Sequence, residues 1–348
     1  MYPEWVWTIP TGPGPPCRGS YHGCQVSSSL RACALLGILF LAGCNGTSHG
    51  PAARPSGTLY LAGVRPGSLA VVHVAQGRVE RRQVHELKAG DPQFMIAATG
   101  GRLAVYGHDR TYALDAGAHE PGKSLGESWY FVPSATPGRV WLAVLDPRRP
   151  GTTVIGSVRE VTVDGRVTVS HSARPPKWPI SGAVDRGLLI QADALQVWDP
   201  ATGRVVRRLP GVFPVASRGS LVASCADRCP TLHLTDTRTG SHAAIRPKGF
   251  RFSESYDGGF SRDGGLLALP ARTTSGSPRV AVVDVATHAA RLVPGPALAA
   301  DYPLMTWSSS GWLFFNAGGG RLAAYRPGAA RARLLPMRVR PFIDMAAG

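Results

Sequence analysis

Residues 195–211 read LQVWDPATGRVVRRLPG. Leu195 and Val197 alternate with Gln196, then Asp199-Pro200-Ala201-Thr202-Gly203 supplies turn chemistry, and Val205-Val206 resumes an apolar run. Period-2 alternation on both sides of a polar turn is a β-hairpin signature. An isolated hairpin is marginal in water and has to pair further or pack to be stable. Whether this one recurs therefore decides the fold.

It does recur. LHLTDTRTGSHAAIRP (232–247), VAVVDVATHAARLVPG (280–295), LAAYRPGAARARLLPM (322–337), LAVVHVAQGRVERRQV (69–84) and the longer TVIGSVREVTVDGRVTVS (153–170) have the same build. Ahead of each hairpin stands a Gly- or Arg-Gly-led apolar strand: GTLYLAG (57–63), GRLAVYG (101–107), GRVWLAV (138–144), RGLLIQA (186–192), GSLVASC (219–225), GGLLALP (264–270) and GWLFFNA (311–317). From Leu59 to Leu313 is 254 residues in six steps, or about 42 per step. Before most of these lies one more short strand: FMIAATG (94–100), YFVPSAT (130–136), WPISGAV (178–184), FPVASRG (213–219), GGFSRDG (258–264) and PLMTWSSSG (303–311). The unit is four strands, repeated seven times, and repeats of this length imply blades or solenoid turns. Composition agrees, with 42 Gly, 30 Pro and only 17% charged residues, a turn-rich balance.

These motifs resemble those of WD-repeat-like β-propellers. The Trp198-Asp199 pair stands in its hairpin, and FSRDG (260–264) and WSSSG (307–311) resemble the W-S-x-D-G turn of bacterial periplasmic propellers. The resemblance covers 57–348. It implies an all-β, seven-bladed β-propeller of four-stranded blades. Blade one lacks an innermost strand before Gly57, and FIDMAAG (342–348) matches FMIAATG (94–100) in its Phe, Ala and Gly. The C-terminal strand is therefore expected to close blade one, which also removes an open sheet edge. Propellers commonly meet ligands at the loops leading into the innermost strands. Here those loops carry Asp91, Glu127, Trp129, Trp178, Glu254, Tyr256, Asp257, Asp301 and Tyr302, an aromatic and acidic set suited to a cationic or peptide ligand. The competing reading packs these aromatics between blades.

The N-terminus reads as an address. Residues 32–44, ACALLGILFLAGC, hold an apolar stretch of 11 residues from Ala32 to Ala42. That is too short to span a bilayer and the right length for a signal-peptide core. Leu41-Ala42-Gly43-Cys44 resembles the bacterial lipobox at all four positions. The resemblance implies cleavage before Cys44, a signal peptide at 1–43, and acylation of Cys44 (diacylglyceryl, with palmitate among the chains). Two or more acyl chains anchor a protein stably. Residues 1–25 make a poor leader start, whereas Val26 opens a short segment carrying Arg31, so 1–25 read as an upstream mis-start. Residues 44–56 are the lipidated terminus and a flexible tether. The expected location is the extracytoplasmic face of the cell membrane.

The formal charge of +16 comes from 38 basic and 22 acidic residues. Only four of the basics are Lys, namely Lys88, Lys123, Lys177 and Lys248, an Arg bias typical of GC-rich coding. The Arg are scattered, which argues for a dispersed basic surface or attraction to an anionic envelope, and no nucleic-acid partner is expected. With Cys17, Cys24 and Cys33 in the leader and Cys44 lipidated, Cys225 and Cys229 remain, in SCADRCPTLHL, for a local disulfide. His233 completes a C-x₃-C-x₃-H pattern, but no fourth ligand is near, so His233 reads as a strand residue and no metal is expected. There is no H-E-x-x-H, no G-x-S-x-G and no cofactor motif. The expected function is a monomeric ligand- or protein-binding scaffold. The alternative is a propeller hydrolase or lyase worked from the central channel.

One motif competes with this reading. GAHEPGKS (117–124) matches the phosphate-binding loop G-x-x-x-x-G-K-S. Such a loop must open a helix, whose N-terminal N–H groups complete the site. Only Leu125 separates Ser124 from Gly126, and ESWYFVP follows with strand character. Aligned with 195–211, the stretch is the hairpin turn of the second repeat, and no nucleotide is expected. Lys123 then lies on an outer strand facing solvent. Lys123→Ala should change stability by no more than about 0.5 kcal/mol, and a melting curve checks it.

Overall fold

The computed structural model describes residues 54–348 apart from 86, 88–95, 108, 120, 150–153, 172–179, 227, 254–257 and 301–302. Within it the chain is a seven-bladed β-propeller, each blade an antiparallel sheet. Blade two runs outward through Ile96–Thr99, Arg102–Gly107, Arg110–Leu114 and Lys123–Glu127. Blades three, four, five and seven repeat that order, beginning at Tyr130–Pro133, Ile180–Val184, Phe213–Arg218 and Met305–Trp307. Residues 195–211 form the outer hairpin of blade four, with Leu195–Asp199 paired to Arg204–Arg208.

Blade one is assembled from both ends of the ring. Its innermost strand is Phe342–Ala347, antiparallel to Thr58–Gly63, with Tyr60 opposite Ala346 and Leu61 opposite Met345. Blade six departs from the four-strand plan. Its second strand, Leu266–Thr273, is long enough to take two inner partners, Phe250–Phe252 and Gly259–Phe260. The sequence pattern placed one inner strand at 258–264. The structure keeps only Gly259–Phe260 there, because Ser261 onward is committed to the turn.

Second and third strands are the driest. Leu59, Leu103, Val140, Leu188, Val222, Leu267 and Leu313 are each fully buried or within 1% of it. The apolar clusters lie between neighbouring blades. One joins Leu59 and Leu61 of blade one to Phe314 and Leu322 of blade seven, with Phe342 and Met345 of the closing strand in the same cluster. Three of the junctions add a side-chain hydrogen bond. Tyr60 Oη donates to Ala116 O at 2.7 Å, Ile180 N donates to Tyr130 Oη at 2.9 Å, and Trp307 Nε1 donates to Gly259 O at 2.9 Å. Between blades two and three the backbones nearly touch. Gly100 (φ 56) would place an added Cβ 2.6 Å from Gly138 Cα, so only glycine fits.

Deleting 342–348 strips blade one of its inner strand and uncovers Leu59 and Leu61. The loss of Phe342 and Met345 from the core alone predicts a cost of about 5 kcal/mol or more. Thermal unfolding should show a large drop or no cooperative transition, and an unchanged melting temperature would contradict the closure.

Candidate functional site

The ring has two faces, distinguished by which turns each carries. One carries the turns joining first to second and third to outer strands, and these are tied down by side chains. In four blades an Asp ends or just follows the third strand and folds back on the turn. Asp115 Oδ1 accepts from Gly117 N at 2.9 Å and His119 N at 3.0 Å. Asp199 Oδ1 accepts from Ala201 N at 2.8 Å, Asp236 Oδ1 from Arg238 N at 2.8 Å, and Asp284 Oδ1 from Thr287 N at 2.8 Å. These are Asx turns. The N–H of His119 is the main reason the Asp115 carboxyl sits below the usual range, and the N–H of Thr287 does the same for Asp284. The Asp of the Trp198-Asp199 pair is thus a turn cap, and Trp198 is core, fully buried between blades three and four.

The Ser-rich turns are a second cap. Ser261 Oγ donates to Asp263 Oδ1 at 2.6 Å and accepts from Leu266 N at 2.9 Å, while Ser308 Oγ accepts from Trp312 N at 3.1 Å. Next to them lies an open hollow of about 600 Å³ lined by Ser261, Arg262, Asp263, Trp307, Ser309 and Ser310, among others.

GAHEPGKS falls on this face. Lys123–Glu127 is an outer strand, with Lys123 opposite Ala113 and Ser124 opposite Tyr112. Lys123 is exposed. Two of the loop's backbone N–H groups, from Gly117 and His119, are engaged by the Asp115 carboxylate, where a phosphate loop would leave them open.

The opposite face carries the loops leading into the innermost strands. Of the residues the sequence placed there, Glu127 and Trp129 are described, whereas Asp91, Trp178, Glu254, Tyr256, Asp257, Asp301 and Tyr302 lie outside the described residues, as does Cys44. Glu127 is exposed, with Arg110 Nη2 at 3.5 Å, an open pair worth at most about 1 kcal/mol. Trp129 is half-buried against blades three and four and meets Tyr130 edge-to-face at 5.5 Å. Ser128 between them is buried, its Oγ 2.7 Å from Thr111 Oγ1. Residues 127–129 therefore set an exposed acid, openly paired with Arg110, beside an anchored aromatic.

Cys225 and Cys229 form a disulfide, both fully buried. Cys225 lies opposite Leu232, and Ser224 lies opposite His233. Strand alternation thus puts the disulfide on one face of blade five and His233 on the other, so C-x₃-C-x₃-H does not converge. What the sequence reading missed is His242. It lies on the adjoining outer strand, and its Nε2 is 3.0 Å from His233 Nδ1. The signal was present in LHLTDTRTGSHAAI, where the hairpin register sets the two histidines on the same face.

The other described groups with displaced proton affinity serve turns, strands or blade junctions. Glu160, in the third strand of blade three, accepts from Ser134 Oγ at 2.6 Å, Thr168 Oγ1 at 2.8 Å and Arg139 Nη1 at 2.9 Å. Burial pushes its carboxyl up, but these donors outweigh that and leave it below the usual range. Among the described residues no helix is long and apolar enough to cross a membrane, and no group of three or more His, Cys, Asp or Glu converges on a metal position.

No family model matches the chain, and no curated protein matches it. Among solved structures, the WD40 domain of Neurospora crassa Pan2 superposes with a TM-score of 0.51 at 10% identity, covering 82% of this chain and 88% of that one. Apo AztD from Citrobacter koseri gives 0.48 at 11% identity over 85% and 98% of the two chains. TolB from Acinetobacter baumannii gives 0.44 at 14% over 82% and 81%. The Pan2 likeness shows the ring architecture and nothing of activity.

A carboxyl whose folded pKa is depressed stabilises the fold above its unfolded value, near 4.3, and ceases to as pH falls through the folded one. Glu160→Gln should therefore cost about 1–3 kcal/mol at pH 7. The wild type should lose stability more steeply than the variant between about pH 5 and pH 3. Denaturant titrations across that range would show parallel curves if Glu160 played no such part.

Proposed function

We propose that this chain is a lipid-anchored, extracytoplasmic binding scaffold. Its partner is taken on the face that carries the loops leading into the innermost strands. The observation that carries the reading is the point at which the N-terminal segment joins the ring. Ser310 Oγ donates to Ser56 O at 3.0 Å, and Ser56 Oγ to Ser310 Oγ at 3.3 Å. The chain thus joins the turn face beside Ser308–Gly311. About twelve residues separate Cys44 from Ser56, and a coil of that length would reach roughly 20 Å. On this reading the turn face, with Arg262 and the hollow beside it, looks toward the anionic bilayer. Glu127, Trp129 and their fellow loops look away, toward a partner.

The disulfide supports an oxidising compartment. Cleavage before Cys44 would remove Arg18, Arg31 and Glu4, lowering the charge by only one from +16 and keeping the domain attractive to anionic lipid. The chemistry on the distal loops suits a cationic or peptide ligand, with Glu127 as an exposed carboxylate in an open pair with Arg110 and Trp129 as a pre-positioned ring.

In a bacterial host the wild type should enter the membrane fraction and incorporate labelled palmitate, and Cys44→Ala should do neither. A photo-crosslinker at Glu127 should capture a protein or peptide, and one at Arg262 should capture lipid. A Cys44→Ala chain that stays acylated would end the anchoring half of the reading. Protein capture at Arg262 but not at Glu127 would invert the orientation.

A further inference from the structure

His233 and His242 have no part in any turn or blade junction described above. His233 sits in the third strand of blade five, Leu232–Asp236, and His242 opens the outer strand, His242–Ile245. His242 lies opposite Thr235, and His233 opposite Ala244, so the two imidazoles are diagonal neighbours on one face of the hairpin. Their rings are inclined by only 21°, with centroids 5.2 Å apart and the facing nitrogens, His233 Nδ1 and His242 Nε2, 3.0 Å apart. His242 is exposed and His233 half-buried.

We propose that this pair is a surface site for a late first-row divalent cation, with Cu²⁺ held most tightly. An imidazole nitrogen binds such a metal at about 2.0–2.1 Å, which puts two adjacent ligand nitrogens about 2.9–3.4 Å apart. The observed 3.0 Å lies in that window before any side chain moves. Without metal, one ring donates a hydrogen bond to the other. To bind metal, the donating ring shifts that proton to its far nitrogen, and each ring then offers a lone pair to the cation. No net proton is gained or lost. Imidazole suits Cu, Ni and Zn, and the order of stability places Cu²⁺ first.

The site is open. Among the described residues no third His, Cys, Asp or Glu joins it, so water or a bound ligand completes the coordination. The disulfide contributes nothing, because Cys225 faces the apolar cluster on the other side of the sheet. Arg246 is near enough to act electrostatically on His233, and its Nε is fixed 3.0 Å from Thr231 Oγ1. That fixed guanidinium opposes a metal cation and limits its affinity. The sequence alone leads to no metal, because C-x₃-C-x₃-H has no fourth ligand near it and His242 stands outside that pattern.

The test is titration of the full chain with Cu²⁺ and with Zn²⁺, read by calorimetry and, for Cu²⁺, by electron paramagnetic resonance. The wild type should show a Cu²⁺ site with two nitrogen ligands, and Zn²⁺ should bind there more weakly. His242→Ala should weaken Cu²⁺ at that site by at least about tenfold while leaving the metal-free melting temperature unchanged, since His242 is exposed. His233→Ala should weaken it similarly, and Arg246→Gln should tighten it severalfold. If the wild type shows no Cu²⁺ site with two nitrogens, or if His242→Ala binds Cu²⁺ as the wild type does, the proposal fails.

Discussion

The pairing of Phe342–Ala347 with Thr58–Gly63 is the constraint on which the ring depends. Every other blade is built from one continuous stretch of chain, blade six with its inner strand split in two. Blade one alone needs both ends of the described chain. Until it forms, Leu59 and Leu61 lack an inner partner strand, and the cluster linking blades one and seven is short of Phe342 and Met345. Closure therefore turns local sheets into one cooperative body, at the expense of a contact spanning nearly the whole ring. Long-range contacts of this kind slow folding. The closing strand also reaches sideways, since Ile96 N donates to Asp344 Oδ2 at 2.9 Å and fixes blade one to blade two.

Seven similar blades pose a problem of register, because identical junctions would let one blade take another's place. The junctions are in fact dissimilar. A tyrosine hydroxyl donates at blades one and two, a glycine–glycine approach brings blades two and three together, a tyrosine hydroxyl accepts at blades three and four, and an indole N–H donates at blades six and seven. Each works only with its own neighbour. Degenerate repeats are thus a gain in specificity, consistent with the physical cost of leaving any of these buried polar groups unpaired.

The strands were legible because alternation and turn residues are local signals. The hairpin at 195–211 and its relatives could be placed from sequence, as could the Cys225–Cys229 link. What sequence hid was three-dimensional. The Asp of Trp198-Asp199 reads as part of a motif, but its work is to hold the N–H of Ala201. The split inner strand of blade six follows from the length of Leu266–Thr273, which apolar content alone does not reveal. Glu160 looks like any strand acid until Ser134, Arg139 and Thr168 arrive from three other positions in blade three. At the loops leading into the innermost strands, only Glu127 and Trp129 of the sequence-derived set are among the described residues, and they share one loop.

The excess of arginine has a structural use that accounts for its dispersion. The outermost strand of each blade is an open sheet edge, and such edges invite pairing with other chains unless they carry charge or proline. Blade one ends in RVERRQ, blade four in RVVRR and blade seven in RLLPMR, all with guanidinium groups along the edge and Pro336 in the last. Blades two and six place Lys123 and Arg291 there. Blades three and five differ, with His171 and His242 as the only titratable cationic side chains of their outer strands. A permanently protonated edge repels both a second chain and a metal ion. An imidazole edge, unlike a guanidinium one, offers a nitrogen lone pair to a metal ion. Of those two, blade five alone sets a second imidazole, His233, on the neighbouring strand within reach of the first. The same need that spreads Arg around the rim thus confines a divalent-cation site to the blade where Arg is missing from the edge strand and histidine is doubled.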